Sequence, residues 1–169
     1  MRNRSLLQPR ASGRVPSLRT EARRSDARFV ILAARFHPAI AELLVDGAVR
    51  TLKRCGVLSS DIQLLWVPGA FELPVIAARV SVRRPAPSAI IALGALIRGH
   101  TSQYEVIAHA VASGLSHVAV TATIPVTFGV IVAETLAQAN ARSGGREGNR
   151  GEEAALAAIE MYRLMEELK

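Results

Sequence analysis

Short apolar runs alternate with longer stretches in which apolar residues recur every three or four positions, and the alternation repeats from Phe29 to the end of the chain. A strand buried on both faces reads as a near-continuous apolar run, whereas a helix lying on a sheet reads as a stripe at helical spacing. The runs "RFVILAA", "IQLLWV", "AIIALGA" and "VTFGVIV" therefore predict strands. Helical patterns between them predict an α/β domain with a parallel sheet covered on both faces.

The segment "HPAIAELLVDGAVRTLKRCG" places Ile40, Leu43, Leu44, Ala48 and Leu52 on one helical face. Pro38 suits the first helical turn, Lys53 and Arg54 complement the dipole at the far end, and Gly56 suits the left-handed position beyond it. After "VPG", Pro74 fits the first turn of a second helix. A third begins after Gly99, where Ser102 and Glu105 have capping-box spacing and Tyr104, Ile107, Ala108, Val111 and Leu115 form a stripe. The stretch "LSHVAVTATIP" reads equally as a strand or as a continuation of that helix, and Pro125 ends either version. A last helix over 151–168 carries Leu156, Ile159, Tyr162 and Met165.

Composition narrows the class. An apolar fraction of 50% over 169 residues suits one well-packed domain. Charged or turn residues interrupt every apolar run, so neither a membrane span nor a signal-peptide core is expected, and the reading is a cytoplasmic protein. The single cysteine, Cys55, excludes an intrachain disulfide framework and a cysteine-based zinc site, and reads as a small packing residue. The net charge of +7 is concentrated at one end: residues 1–27 hold seven arginines against Glu21 and Asp26. Residues 1–27 read as a basic extension too poor in large apolar side chains to fold, and residues 28–169 as the domain. The body is nearly balanced, which argues against nucleic acid as its partner.

In an open parallel sheet, ligands bind beyond the C-terminal ends of the strands, where loops converge and helix N-termini point at the ligand. That rule gathers Phe36-His37, "PGAFE", "GALIRGHTSQ" and "PVTFG" at one edge. The loop Gly99-His100-Thr101 offers backbone N–H groups and a hydroxyl to an anion. Arg142, in the glycine-rich connection "NARSGGREGNRG", could close over a phosphate, although composition alone reads this connection as a solvated loop.

From Arg28 onward the chain resembles the 6,7-dimethyl-8-ribityllumazine synthases, the penultimate enzymes of riboflavin biosynthesis. The resemblance rests on "VPGAFELP", "ALGALIRGHTSQYEVI", "PVTFGVI" with "ETLAQA", and "RSGGREGNRGEEAALAAIEM", in order and at compatible spacing. It implies a three-layer α/β/α, flavodoxin-like fold with a central four-stranded parallel sheet, the third helix continuing through "SHVAVTAT". It also implies a transferase reaction: 5-amino-6-(D-ribitylamino)uracil condenses with 3,4-dihydroxy-2-butanone 4-phosphate to give the lumazine, with loss of phosphate and water. No metal or organic cofactor is implied. The implied assembly is a homo-oligomer, a pentamer or twelve pentamers closed into a 60-chain icosahedral shell, with riboflavin synthase as a candidate partner.

Position by position, the resemblance gives Phe36 the role of stacking on the pyrimidine. Ala70, Phe71 and Glu72 meet the ribityl-aminouracil, and Ala95, Leu96 and Ile97 read the pyrimidine edge through their main chain. Phe128 is supplied by a neighbouring subunit, while His100, Thr101 and Arg142 take the phosphate. Gln103 departs from the pattern, because the family usually has a proton-carrying histidine there, as in Gly-x-Thr-x-His. Glutamine has no useful pKa near neutrality. Three readings stay open: the condensation tolerates the loss, His100 substitutes, or the protein is a weakened homologue that persists as a ligand-binding or shell-forming protein. His37 departs as well, where asparagine is common, and reads as a helix cap of minor role. His109 and His117 read as surface residues.

Overall fold

The four apolar runs form one parallel sheet of β1 (Phe29–Ala34), β2 (Ile62–Val67), β3 (Ala89–Ile97) and β4 (Val126–Ala133), in the order β2-β1-β3-β4. The computed structural model describes residues 27–169. The expected basic extension lies outside the described residues except for Ala27, which is buried against the core.

Alternation along the central strands creates the layers. Phe29, Ile31 and Ala33 of β1 join a core with α1 (Pro38–Arg54) and α5 (Arg150–Glu167) on one side of the sheet. Val30, Leu32 and Ala34 point the other way, into a second core with α2 (Leu73–Ser81) and α3 (Gln103–Thr121). Successive strand side chains point to opposite faces, so a wholly apolar run requires a helical layer on each. This is the three-layer α/β/α, flavodoxin-like arrangement.

The helix signals are used as predicted in α1: Pro38 lies in the first turn, Lys53 and Arg54 in the last, and Gly56 takes φ +91° beyond it. Leu43 departs from its assigned face and is exposed, whereas Ala41, Leu44, Val45, Ala48 and Leu52 are buried. The buried stripe centres on Leu44 and Ala48, and a neighbour in sequence is turned by about 100°. The ambiguous run after Leu115 is helical to Thr121, with Val111, Leu115 and Val118 inward at helical spacing. In α5 the buried face is built largely of Ala154, Ala155 and Ala158 with Ile159 and Tyr162, while Leu156 and Met165 are only half-buried. Tyr162 meets Phe29 edge-on at 6.0 Å between ring centroids.

Two elements were not anticipated. The "ETLAQA" segment leads into the short helix α4 (Leu136–Ala141), capped by Thr135, whose hydroxyl accepts from Gln138 N–H while the Gln138 side-chain Oε1 accepts from Thr135 N–H. The connection read as a solvated loop is a small antiparallel hairpin, β5 (Ser143–Gly145) and β6 (Gly148–Asn149). Asn149 locks it in place by accepting from Gly151 and Glu152 N–H and donating to the carbonyls of Leu43 and Ser143.

Candidate active site

The C-terminal edge of the sheet is uneven, and the unevenness makes a place for a ligand. β1 pairs with β3 only as far as Ala33 opposite Leu93, but β3 continues against β4 to Ile97 opposite Ala133. Alternate residues of β3 turn their peptide groups to opposite sides, Ile90 and Arg98 N–H donating toward β4, so on the β1 side it is the backbone groups of Ala95 and Ile97 that have no strand partner, while those of Leu96 face β4; unpaired groups must be satisfied by something else. Arg98 N–H extends the β4 side one step further by donating to Ala133 O at 2.9 Å.

Phe36 and His37 stand beside this overhang. Arg35 N–H donates to Val67 O at 2.9 Å, after which the chain turns into α1. The Phe36 ring is 75% exposed, a high value for so apolar a side chain. His37 occupies the position before α1 but caps nothing with its side chain, contrary to the cap reading; the proline that follows keeps its backbone out of the helical region, at φ −117° and ψ 79°. Its ring instead sets perpendicular to Phe36, with centroids 5.1 Å apart. Burial of the imidazole pulls its pKa below the ordinary value.

The turn after β2 forms the next wall. Ala70–Glu72 make one 3₁₀ turn, with Ala70 buried and Phe71 exposed. The Glu72 carboxylate accepts from Gly69 N–H at 2.9 Å, leaving its other oxygen open. Gly94 lets this turn sit close on the sheet: a Cβ there would lie 3.1 Å from the Ala34 Cβ, with Leu73 and Ala70 also in contact range.

The third wall is the start of α3. Residues 99–103 are exposed, and a Cβ on Gly99 would meet nothing within 4 Å. The expected capping box is absent. Ser102 makes no side-chain cap, and the Glu105 carboxylate accepts instead from the neighbouring Tyr104 hydroxyl at 3.0 Å. That hydrogen bond raises the Tyr104 pKa, the other contributions being smaller. Gln103, His100 and Thr101 lie together on this projecting end.

A family model for 6,7-dimethyl-8-ribityllumazine synthase matches residues 26–166. The chain is 46% identical over 145 residues to the 6,7-dimethyl-8-ribityllumazine synthases of Yersinia pestis (strain Pestoides F) and Yersinia pseudotuberculosis serotype O:1b (strain IP 31758), covering 85% of this chain and 92% of each relative. The chain belongs to the 6,7-dimethyl-8-ribityllumazine synthase family. Membership carries a transferase activity in riboflavin biosynthesis, small-molecule substrates and homo-oligomerisation. Exposed apolar side chains suit an assembling member of the family, among them Val106 and Val120 on α3 and Trp66 on the edge strand β2. Among the described residues no helix is long and apolar enough to cross a membrane.

Not every expected site residue reaches this edge within one chain. "PVTFG" starts β4 and does not end it, so Phe128 pairs opposite Ala92, five residues before Ala133 and about 17 Å from the C-terminal end. The expectation that this stretch joins the other three at one edge of the same chain is overturned, because the rule concerns strand ends and Phe128 lies near a strand start. Arg142 follows α4, where its guanidinium donates to Glu147 O at 2.7 Å and pairs with Glu153 at 3.0 Å. No hydrogen bond or ion pair joins it to His100 or Thr101 among the described residues. The two best-defined concavities, about 330 and 740 Å³, lie between the ends of α2 and α3 and at the N-terminal end of the sheet.

Glu153 was missed. Its carboxylate receives both Arg142 at 3.0 Å and Arg150 at 2.8 Å. Burial pushes its pKa up, but the hydrogen bond from Arg150, with the charge and hydrogen bond of Arg142, outweighs this and holds it below the ordinary value. The Arg150–Glu153 spacing of three within a helix was the available signal.

Proposed function

We propose that this chain condenses 5-amino-6-(D-ribitylamino)uracil with 3,4-dihydroxy-2-butanone 4-phosphate at the C-terminal edge of its sheet. The observation that carries the placement is the β3 overhang. Ala95 and Ile97 offer main-chain donors and acceptors with no strand partner, Leu96 between them being held by β4, beside an exposed aromatic ring and a turn bearing a carboxylate. That combination suits a flat heterocycle carrying amide groups and a polyol tail. Phe36 stacks on the pyrimidine, the Ala70–Phe71–Glu72 turn meets the ribityl-aminouracil, and the free Glu72 oxygen accepts from ribityl hydroxyls.

The phosphate goes to the start of α3, where His100, Thr101 and the N-terminus of a 19-residue helix favour an anion. Arg142 completes the phosphate site from a neighbouring copy, together with Phe128 of that copy. Two of the five guanidinium N–H groups of Arg142 are used in the hydrogen bonds described, which leaves three to bind oxygen. Holding the two substrates side by side supplies much of the rate, since orientation in a shared site replaces a bimolecular encounter. Gln103 donates and accepts hydrogen bonds there but carries no proton. The assembly is a pentamer, alone or as twelve pentamers in a shell, working in the cytoplasm, with riboflavin synthase as the enzyme it supplies.

Mixing both substrates with the full chain tests this reading. The fluorescent lumazine and inorganic phosphate are expected in equal amounts, faster than the uncatalysed background. Ligand binding with no acceleration would instead support a binder or container.

A further inference from the structure

The condensation needs a group that moves protons between nitrogen and oxygen, and the geometry points to His37 as that group. This inference rests on the site proposed above. Among the described residues at this edge, the ionisable side chains are Arg35, His37, Glu72, Arg98, His100 and Glu134, joined by Tyr104 and Glu105 just inside α3. The arginines keep their protons. Glu72 is engaged by Gly69 N–H, and Tyr104 and Glu105 are engaged with each other. Of these residue types only histidine ordinarily exchanges its proton near neutrality, which singles out His37 and His100 over the carboxylates of Glu72 and Glu134.

His100 is the weaker candidate on two grounds. It sits in an exposed bend with no hydrogen bond among the described residues to orient it. It also stands where the reading above places the phosphate, so its ring is committed to that group.

His37 is held on every side that matters. Pro38 follows it, its carbonyl accepts from Ala41 N–H at 2.9 Å in the first turn of α1, and its ring packs against Phe36 at 5.1 Å and 84°. No side-chain cap occupies its ring nitrogens. A heterocycle stacked parallel to Phe36 is perpendicular to the imidazole plane. The imidazole lone pair, which lies in its own ring plane, can then cross the heterocycle plane in the direction a proton leaves a pyramidal nitrogen. Burial and the N-terminus of a 17-residue helix both favour the neutral imidazole, the form able to accept a proton near neutrality.

In the step assigned to it, the 5-amino nitrogen of the uracil bonds to the carbonyl carbon of the butanone phosphate. His37 takes one proton from that nitrogen and gives it to the former carbonyl oxygen, forming the carbinolamine. A second passage takes the remaining N–H proton and delivers a proton to the hydroxyl. The C–O bond breaks, water leaves and C=N forms, with the imidazole returned neutral.

The test compares wild type, His37→Asn, His37→Gln and His100→Asn by steady-state kinetics across pH, with circular dichroism and assembly size as controls for folding. Wild-type turnover above background establishes the reading on which the inference rests; its absence overturns both. Given turnover, either His37 substitution is expected to lower kcat by about 10²-fold or more with a smaller change in KM. The limb of the pH profile below the ordinary imidazole value should disappear with it, and Gln103→His should restore part of the rate in the His37→Asn background. His100→Asn should raise the KM for the phosphate substrate and keep the limb. A folded His37→Asn protein with near wild-type kcat and an unchanged profile, or loss of the limb on replacing His100, would overturn the assignment.

Discussion

Replacing Phe36 by alanine separates the role of a residue in the site from its role in the fold. The ring is 75% exposed and lies outside both cores. Truncating it should change unfolding free energy by no more than about 0.5 kcal/mol, the usual range for an exposed position. Stacking of a flat base on an aromatic ring is worth about 1–3 kcal/mol by alanine substitution. At about 1.4 kcal/mol per tenfold, kcat/KM for the aminouracil should fall by about 5- to 150-fold. The assay is steady-state formation of the fluorescent product with each substrate varied in turn, beside a thermal melt. Most of the change should lie in the aminouracil KM, with the KM for the phosphate substrate nearly constant, and Phe36→Trp should retain activity because it keeps a flat face. Unchanged aminouracil kinetics in Phe36→Ala would refute the stacking role, and a large drop in melting temperature would show that the ring is structural.

Gly151→Ala should destabilise severely, because a Cβ there would lie 2.0 Å from the Leu44 carbonyl oxygen, whereas Gly99→Ala, with nothing within 4 Å, should leave the denaturation midpoint unchanged. Glu153→Gln removes the shared partner of Arg142 and Arg150. Because the folded pKa of Glu153 is depressed, the stability it contributes is present above its unfolded pKa and is lost as pH falls through the folded value. Urea midpoints of wild type and Glu153→Gln should thus differ at pH 7 and converge in acid, by no more than about 1 kcal/mol for a pair this exposed; an equal gap at both pH values would contradict the ion-pair account. Val106→Glu with Val120→Glu places charges at the two exposed valines of α3 and should yield a smaller particle by light scattering at unchanged helical content.

The fold was legible because its strands and helices differ in period, and both cores follow from the alternation in β1. The hairpin was not legible: the run Ser143–Asn149 has too few side chains for a periodic signal, and its placement depends on Asn149 reaching carbonyls that include Leu43, more than a hundred residues away. The α4 cap was readable in Thr135 and Gln138 but passed unread. At the site, Phe36, the Ala70–Glu72 turn and Ala95–Ile97 follow from the strand-end rule, whereas Phe128 obeys a different logic. Phe128 lies near a strand start, where the strand-end rule is silent, so its proposed role comes from the family resemblance and no spacing within one chain reveals it.

The overhang of β3 has a consequence for changing what this protein accepts. In the proposed site a heterocycle read by peptide groups is judged by atoms that every amino acid carries, so exchanging the side chains of Ala95 or Ile97 would leave the reading pattern in place. Altered preference would require shifting the strand by a residue or lengthening its neighbour until the free groups are covered. What restricts these three side chains is packing, Ala95 being buried in one core with Ile97 against it and Leu96 against the other, and not the chemistry of the ring that the proposed site would read.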